Sequence, residues 1–143
     1  MMISTKGRYA LRIMVDLAEH QSEGYIPLKE TADRQEISEK YLESILKSLV
    51  KNKFLEGLRG KGGGYRLTRA PEEYTIGSIL RLTEDSLAPV SCLEPGEAAC
   101  PRMANCRTLP MWQGLNKLIN DYLDGITLAE LMNQAQSGGD YII

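Results

Sequence analysis

The chain's three cysteines, Cys92, Cys100 and Cys106, are spaced C-x7-C-x5-C in one short stretch. A structural zinc site takes four ligands in closely spaced pairs. The single histidine, His20, is more than seventy positions away, so a complete local zinc site is not expected. Three thiolates on a flexible segment suit an iron-sulfur cluster, which prefers sulfur and tolerates a fourth ligand of another kind. A thiol redox switch would use the same residues, its reactivity set by thiolate character and exposure; inert thiols are the plain alternative. The odd count argues against a disulfide framework and fits a reducing, cytoplasmic compartment.

The second chemically suggestive stretch is "RGKGGGYRL", residues 59–67. A nucleotide-binding P-loop needs G-x-x-x-x-G-K-[ST]. Here Lys61 lies inside the glycines and Gly62 follows it, so that pattern fails. Phe54, Leu55 and Leu58 precede the glycines, and Tyr65 and Leu67 follow at alternating positions. The stretch is expected to be two antiparallel strands joined by a glycine-rich turn. Arg59 and Lys61 would stand at its tip. Gly60, Gly62 and Gly63 would let backbone come close to another surface, and a narrow groove lined with phosphates is one such surface. A solvated loop carrying charge for solubility is the bland reading. No acid-base pair, nucleophile with its base or cofactor fingerprint is present, which argues against an enzyme.

The elements that must position these groups are mostly helical. Ala10, Ile13, Met14, Leu17 and Ala18 recur at three- and four-residue intervals and predict a helix from about Ser4 to His20. A shorter helix is expected from Leu28 to about Glu36. A third follows Ser38, a good N-cap, with Leu42, Ile45, Leu46, Leu49 and Val50 inward. Two helices in tight succession behind a first form a helix-turn-helix, and a hairpin directly after it is a wing. Thr75 is expected to cap a fourth helix bearing Ile76, Ile79, Leu80 and Leu82.

The cysteine stretch, Ser86 to Arg107, has no periodicity and reads as a long functional or disordered loop. Thr108 is then expected to cap a helix with Pro110 in its first turn. Along it Trp112, Leu115, Ile119, Tyr122 and Ile126 step by 3, 4, 3 and 4, a coiled-coil-like seam. Little chain remains to cover that seam, so a second copy is the expected partner; an intrachain core stripe is the alternative. Thr127 and Glu130 predict a capping box for a short final helix.

Charge supports this division. Of 143 residues, the first 70 carry 13 Lys/Arg against 9 Asp/Glu, the remainder 4 against 10. A basic half joined to an acidic half predicts that only the first meets a polyanion. Lys6 in the first helix, and Lys40 and Lys47 in the third, can neutralise phosphates. The longest run free of charged residues is nine, far short of a membrane span, and Lys6, Arg8, Arg12 and Asp16 interrupt any signal-peptide core.

Taken in order, "STKGRYALRIMVDLA", "ISEKYLESILKSLVKN", "RGKGGGYRL", the three cysteines before "LPMW", and "DGITLAEL" resemble the BadM/Rrf-type (Rrf-two) family of winged-helix transcriptional regulators, over nearly the whole chain. The resemblance implies a homodimeric repressor bound to double-stranded DNA at a palindromic operator, with third helices in successive major grooves and wings at the minor groove. It carries DNA contact onto Ser38, Lys40, Tyr41, Glu43 and Ser44, and onto Arg59 and Gly60. Glu43 can accept from a cytosine amino group, although an acid one turn into a helix also favours the dipole while touching nothing. Arg59 suits a narrow, strongly negative minor groove.

The resemblance also implies a cluster on Cys92, Cys100 and Cys106, 2Fe-2S in preference to 4Fe-4S, with a noncysteine fourth ligand. The family positions for that ligand hold Leu109 and Arg8 here, so it stays open among Glu94, Glu97, Asn105, a partner-chain carboxylate and an exogenous thiol. The tail "SGGDYII", ending in Tyr141, Ile142 and Ile143, resembles tails that occupy the active site of cysteine synthase, and suggests that enzyme as a further partner. Regulation of a sulfur-metabolism enzyme through this tail is the competing function.

The expected fold is mainly α with a small β-hairpin: a winged helix-turn-helix over residues 1–85, a cysteine-containing sensor loop over 86–107, and a long dimerisation helix, short final helix and tail over 108–143.

Overall fold

The computed structural model describes residues 3–94, 96 and 101–136. The first helix, α1 (Thr5–Glu19), begins where the Ser4 hydroxyl accepts from the Gly7 N–H at 3.0 Å. It buries Ala10, Ile13, Met14, Leu17 and Ala18, the face its periodicity predicts. Helix α2 (Leu28–Gln35) ends at Glu36 in the left-handed region, φ 55°. That turn brings Ser38 to the start of α3 (Glu39–Lys51), where its side chain accepts from the Tyr41 N–H at 3.2 Å. Leu42, Ile45, Leu46 and Leu49 of α3 are buried, whereas Val50, expected inward, is half-buried at the edge.

A buried ionic cluster fixes α2 on α1. Asp16 is 4 % exposed and receives Arg34 through two hydrogen bonds, at 2.7 and 3.0 Å, and Gln35 Nε2 at 2.9 Å. A carboxylate removed from water is tolerated when its lone pairs are filled in this way. The cluster thereby sets the angle at which the helix-turn-helix presents α3.

The hairpin pairs β1 (Leu55–Leu58) with β2 (Gly64–Leu67), Leu55 opposite Leu67 and Leu58 opposite Gly64. Ile26 joins its edge by two reciprocal backbone hydrogen bonds with Tyr65, both 2.9 Å. Tyr74, fully buried, secures the far end of the hairpin: its hydroxyl donates to the Phe54 carbonyl at 2.7 Å and accepts from the Thr68 and Arg69 N–H groups.

Helix α4 (Ile76–Thr83) is capped by Thr75, whose side chain accepts from Ser78 N–H at 3.1 Å. Helix α5 (Leu109–Asp124) buries none of its residues. The chain then returns: Ile76 N–H donates to the Ile126 carbonyl and Leu128 N–H to the Tyr74 carbonyl, each at 2.9 Å. This places α6 (Leu128–Gln136) against α1, with Leu128 wholly inside the core. The expected capping box forms, Thr127 N–H to Glu130 Oε2 and Glu130 N–H to Thr127 Oγ1, both 3.2 Å. The fold is thus mainly helical with one two-stranded wing. Among the described residues no helix is long and apolar enough to cross a membrane.

Candidate nucleic-acid interface and cysteine segment

Burying Leu42, Ile45, Leu46 and Leu49 turns Lys40, Glu43, Ser44 and Lys47 of α3 to solvent, because residues on the other side of a 3.6-residue period must face out. Ser38 is exposed at the helix start. The Ser44 hydroxyl donates to the Tyr41 carbonyl at 2.7 Å. Tyr41 itself is half-buried, its ring 5.7 Å from that of Tyr9 on α1. Glu43 and Lys47 form an exposed ion pair at 3.8 Å, worth only a few tenths of a kcal/mol, so either can be recruited by another partner.

The wing stands beside this face. Arg59, Gly60, Lys61 and Gly62 are exposed at its tip. Gly60 has φ 91°, a conformation that strains any side-chain-bearing residue. A Cβ on Gly63 would lie 2.1 Å from the Leu58 carbonyl oxygen, and one on Gly64 2.1 Å from that of Ile26. Those glycines are therefore demanded by close packing where the turn folds back on Leu58 and where Ile26 joins the hairpin edge.

A groove of about 760 Å³ runs between α3 and the wing, and Glu43, Lys47, Arg59, Gly60, Gly63 and Tyr65 line it together. Residues from two elements, separated by a helix end and a strand, thus converge on one concave surface. Ser38, Lys40 and Ser44 lie on the exposed face of α3 outside its lining, as do Lys61 and Gly62 at the tip and Lys6 in the first turn of α1.

Cys92 sits in a single 3-10 turn, Ser91–Leu93, and Cys106 follows another, Met103–Asn105. Both thiols are free and half-buried. Cys100 and Glu97 lie outside the described residues, and among those described no three ligating side chains are gathered. Thr108 does not cap α5 through its side chain as its position suggests: its backbone is already helical, and its hydroxyl lies 3.4 Å from Cys106 Sγ. That hydrogen bond, aided by backbone N–H groups of Thr108 and Leu109 and by the charge of Arg102, holds the Cys106 thiol below the usual range. The tail residues Tyr141, Ile142 and Ile143 also fall outside the described residues.

The cysteine segment hangs between two polar links. At its entrance Glu84 Oε1 accepts from the N–H and hydroxyl of Ser4, both 2.8 Å. Beyond its exit, Arg81 of α4 grips Asp124 of α5 at 2.7 and 3.0 Å and Asn120 at 2.6 Å. These bonds raise the Arg81 pKa and lower that of Asp124.

The outer face of α5 carries Met111, Leu115, Leu118 and Tyr122, which are 56, 38, 68 and 69 % exposed. Leu115 and Tyr122 belong to the expected seam. Trp112 and Ile119 are half-buried, and Ile126 packs against the chain's own core. Met111 and Leu118 escaped the sequence reading, although 111, 115, 118 and 122 also step by 4, 3 and 4.

Comparison with known proteins agrees with this architecture. Residues 3–134 match the Rrf2 family model, described as an iron-dependent transcriptional regulator. The HTH-type transcriptional regulator IscR of Erwinia tasmaniensis is 38 % identical over 136 residues, covering 95 % of this chain and 81 % of that one. The solved structure of T. potens IscR superimposes with TM-score 0.78 at 34 % identity, covering 100 % of this chain and 94 % of the other. CymR, the global cysteine regulator of B. subtilis, superimposes with TM-score 0.75 at 34 % identity, covering 93 % and 97 %.

Proposed function

The chain belongs to the Rrf2 family of transcriptional regulators, which are not enzymes, and from that premise we propose that it binds a palindromic operator as a homodimer and represses according to iron-sulfur, redox or cysteine status. The observation that carries the DNA reading is the shared groove, in which Glu43 and Lys47 of α3 face Arg59 and Gly60 of the wing. In this reading Ser38, Lys40, Tyr41, Glu43 and Ser44 approach the major groove, Glu43 accepting from a cytosine amino group. Arg59, Gly60, Lys61, Gly62, Gly63 and Tyr65 make the minor-groove approach, while Lys6, Lys40 and Lys47 neutralise phosphates. The seam of Trp112, Leu115, Ile119 and Tyr122, with exposed Leu118 beside it, pairs the two copies, while Ile126 at its end packs on the chain's own core.

The donor chemistry supports a cluster: Cys92 and Cys106 are free thiols, and the lowered Cys106 pKa favours the thiolate that a metal needs. Cys92, Cys100 and Cys106 would hold it, 2Fe-2S in preference to 4Fe-4S, and the fourth ligand remains among Glu94, Glu97, Asn105, a partner carboxylate and an added thiol. When bound, the cluster supplies a redox- and iron-dependent crosslink; the chain's own part is to convert an ordered segment into a changed relation between α4 and α5. Purification without oxygen, with iron and sulfide assays, tests this. A brown protein whose colour vanishes in Cys92→Ala supports the cluster; a protein that stays colourless and iron-free after reconstitution leaves thiol chemistry as the signal.

A second partner, cysteine synthase captured by Tyr141, Ile142 and Ile143, rests on the tail's composition and on the similarity to CymR. Unchanged binding of that enzyme after removal of residues 138–143 would end this reading.

A further inference from the structure

Arg12 of α1 lies outside the interface described above, yet it is tied to the turn that delivers α3. An exposed arginine is ordinarily a solvated charge, and Arg12 is exposed. Its guanidinium is nonetheless committed to one neutral residue. Nε donates to Gln35 Oε1 at 3.1 Å, and Nη2 donates to the Gln35 carbonyl. Gln35 is the last residue of α2, where a helix leaves its carbonyls without intrahelical partners. Its side chain is held from the other end as well, since Nε2 donates to buried Asp16 at 2.9 Å. The next residue is Glu36, whose left-handed backbone turns the chain toward α3.

The same guanidinium lies over the Tyr9 ring, 4.9 Å from its centroid. Tyr9 in turn meets Tyr41, with the ring centroids 5.7 Å apart and the planes tilted by 58°, a favourable aromatic arrangement. Tyr41 belongs to the first turn of α3, where its N–H is fixed by Ser38 and its carbonyl by Ser44. Tyr9, Arg12 and Asp16 step by 3 and 4 along α1, so they share one face of that helix. That face therefore holds the chain on both sides of the turn: Gln35 before it and Tyr41 after it.

We propose that Arg12 is a positioning residue for base reading. By clamping Gln35 and bracing the Tyr9–Tyr41 pair, it sets the attitude of the first turn of α3, and with it the base preference conferred by Glu43, without touching DNA. This rests on the DNA-binding reading and adds to it a residue that orients the reader. Geometry rather than charge carries the role. A planar guanidinium bonds two atoms of Gln35 while its face stacks on Tyr9, an arrangement that a lysine ammonium does not reproduce.

The probe is the duplex that the full-length wild-type protein enriches from a random library, set against two copies with one base pair changed. One change is made where Glu43→Ala loses its preference, the other where Arg59→Ala does. Affinities are read by fluorescence anisotropy across a salt series. Arg12→Ala should lower discrimination at the Glu43-dependent position about threefold to tenfold, while discrimination at the Arg59-dependent position is unchanged. The slope of log affinity against log salt should also be unchanged, because no phosphate contact is lost. Arg12→Lys, which keeps the charge, should show the same loss as alanine. Tyr9→Ala should reproduce it, and Tyr9→Phe, which keeps the ring, should not.

Wild-type discrimination in Arg12→Ala would overturn the positioning role while leaving the DNA reading standing. Full discrimination in Arg12→Lys, with a slope flattened by about 0.9 in Arg12→Ala, would make Arg12 a phosphate contact and overturn it too. Equal loss at both positions, matched by a drop in melting temperature, would assign Arg12 to the fold alone and overturn its link to Glu43. Failure of the wild-type protein to enrich any duplex would instead overturn the DNA reading itself, and the proposal with it.

Discussion

Glu84 and Ser4, eighty positions apart, are joined by two hydrogen bonds of 2.8 Å to one carboxylate oxygen, so the residue that caps the end of α4 also secures the N-cap of α1. The fit is close: a Cβ on Gly7 would lie 2.3 Å from the same oxygen. The cysteine segment begins two residues later.

Glu84→Ala should therefore destabilise the fold by about 1–2 kcal/mol, the usual cost of leaving partly buried donors unmatched. Ser4→Ala should cost about 1 kcal/mol as a lost cap. The two effects should be non-additive in urea unfolding, since each substitution removes the other's partner. Simple additivity would show that the bonds contribute nothing jointly.

The Arg81–Asp124 link has an acid-side signature. Its hydrogen bonds hold the Asp124 carboxyl below its ordinary range. A depressed folded-state pKa contributes stability that is present above the unfolded value of about 4 and is lost as pH falls through the lower folded value. Asp124→Asn should therefore be less stable than wild type near neutrality, and the gap should narrow below about pH 4. The partners are 42 and 44 % exposed, so the effect should be modest and weaken in high salt. A gap independent of pH would contradict the ionic assignment.

Cys106 should be the more reactive of the two described thiols. Its lowered pKa means that thiolate persists at a pH where an ordinary cysteine is protonated. In metal-free protein, iodoacetamide should alkylate Cys106 faster than Cys92 at neutral pH. Thr108→Val removes the hydrogen bond to Cys106 Sγ and should slow that reaction several-fold. Equal rates with and without the Thr108 hydroxyl would remove this account of its reactivity.

Much of this arrangement was legible in the sequence. The α1 stripe from Ala10 to Ala18, the Ser38 and Thr75 caps and the Thr127–Glu130 box are local patterns, and each formed as spaced. Thr108 looked equally like a cap, but its hydroxyl found Cys106 instead, a competition that composition does not rank. The seam was ambiguous for a different reason: 112-115-119-122 and 111-115-118-122 are both helical stripes, and only the docking of α4 decides which half is covered. The Ser4–Glu84 and Arg81–Asp124 bonds and the Tyr74 hydroxyl join distant segments, and no short-range pattern announces them.

That docking yields a prediction about assembly. Leu118 is 68 % exposed on α5, whereas Ile126 packs on the core. Leu118→Asp should leave the melting temperature of the subunit nearly unchanged while converting a homodimer to monomer by light scattering. Ile126→Asp should instead lower the melting temperature, because it sets a carboxylate against the apolar core on which the partly buried Ile126 packs. A dimeric Leu118→Asp would place the contact between copies elsewhere.

The central claim, that α3 and the wing of paired copies read one duplex, is tested most directly by enriching a random double-stranded library on the full-length protein purified without oxygen. The account predicts an inverted repeat whose half-sites lie one helical turn apart, about 10 base pairs or a multiple, and its loss in Glu43→Ala or Arg59→Ala. Recovery of no preferred duplex, or of one without two-fold symmetry, would contradict it.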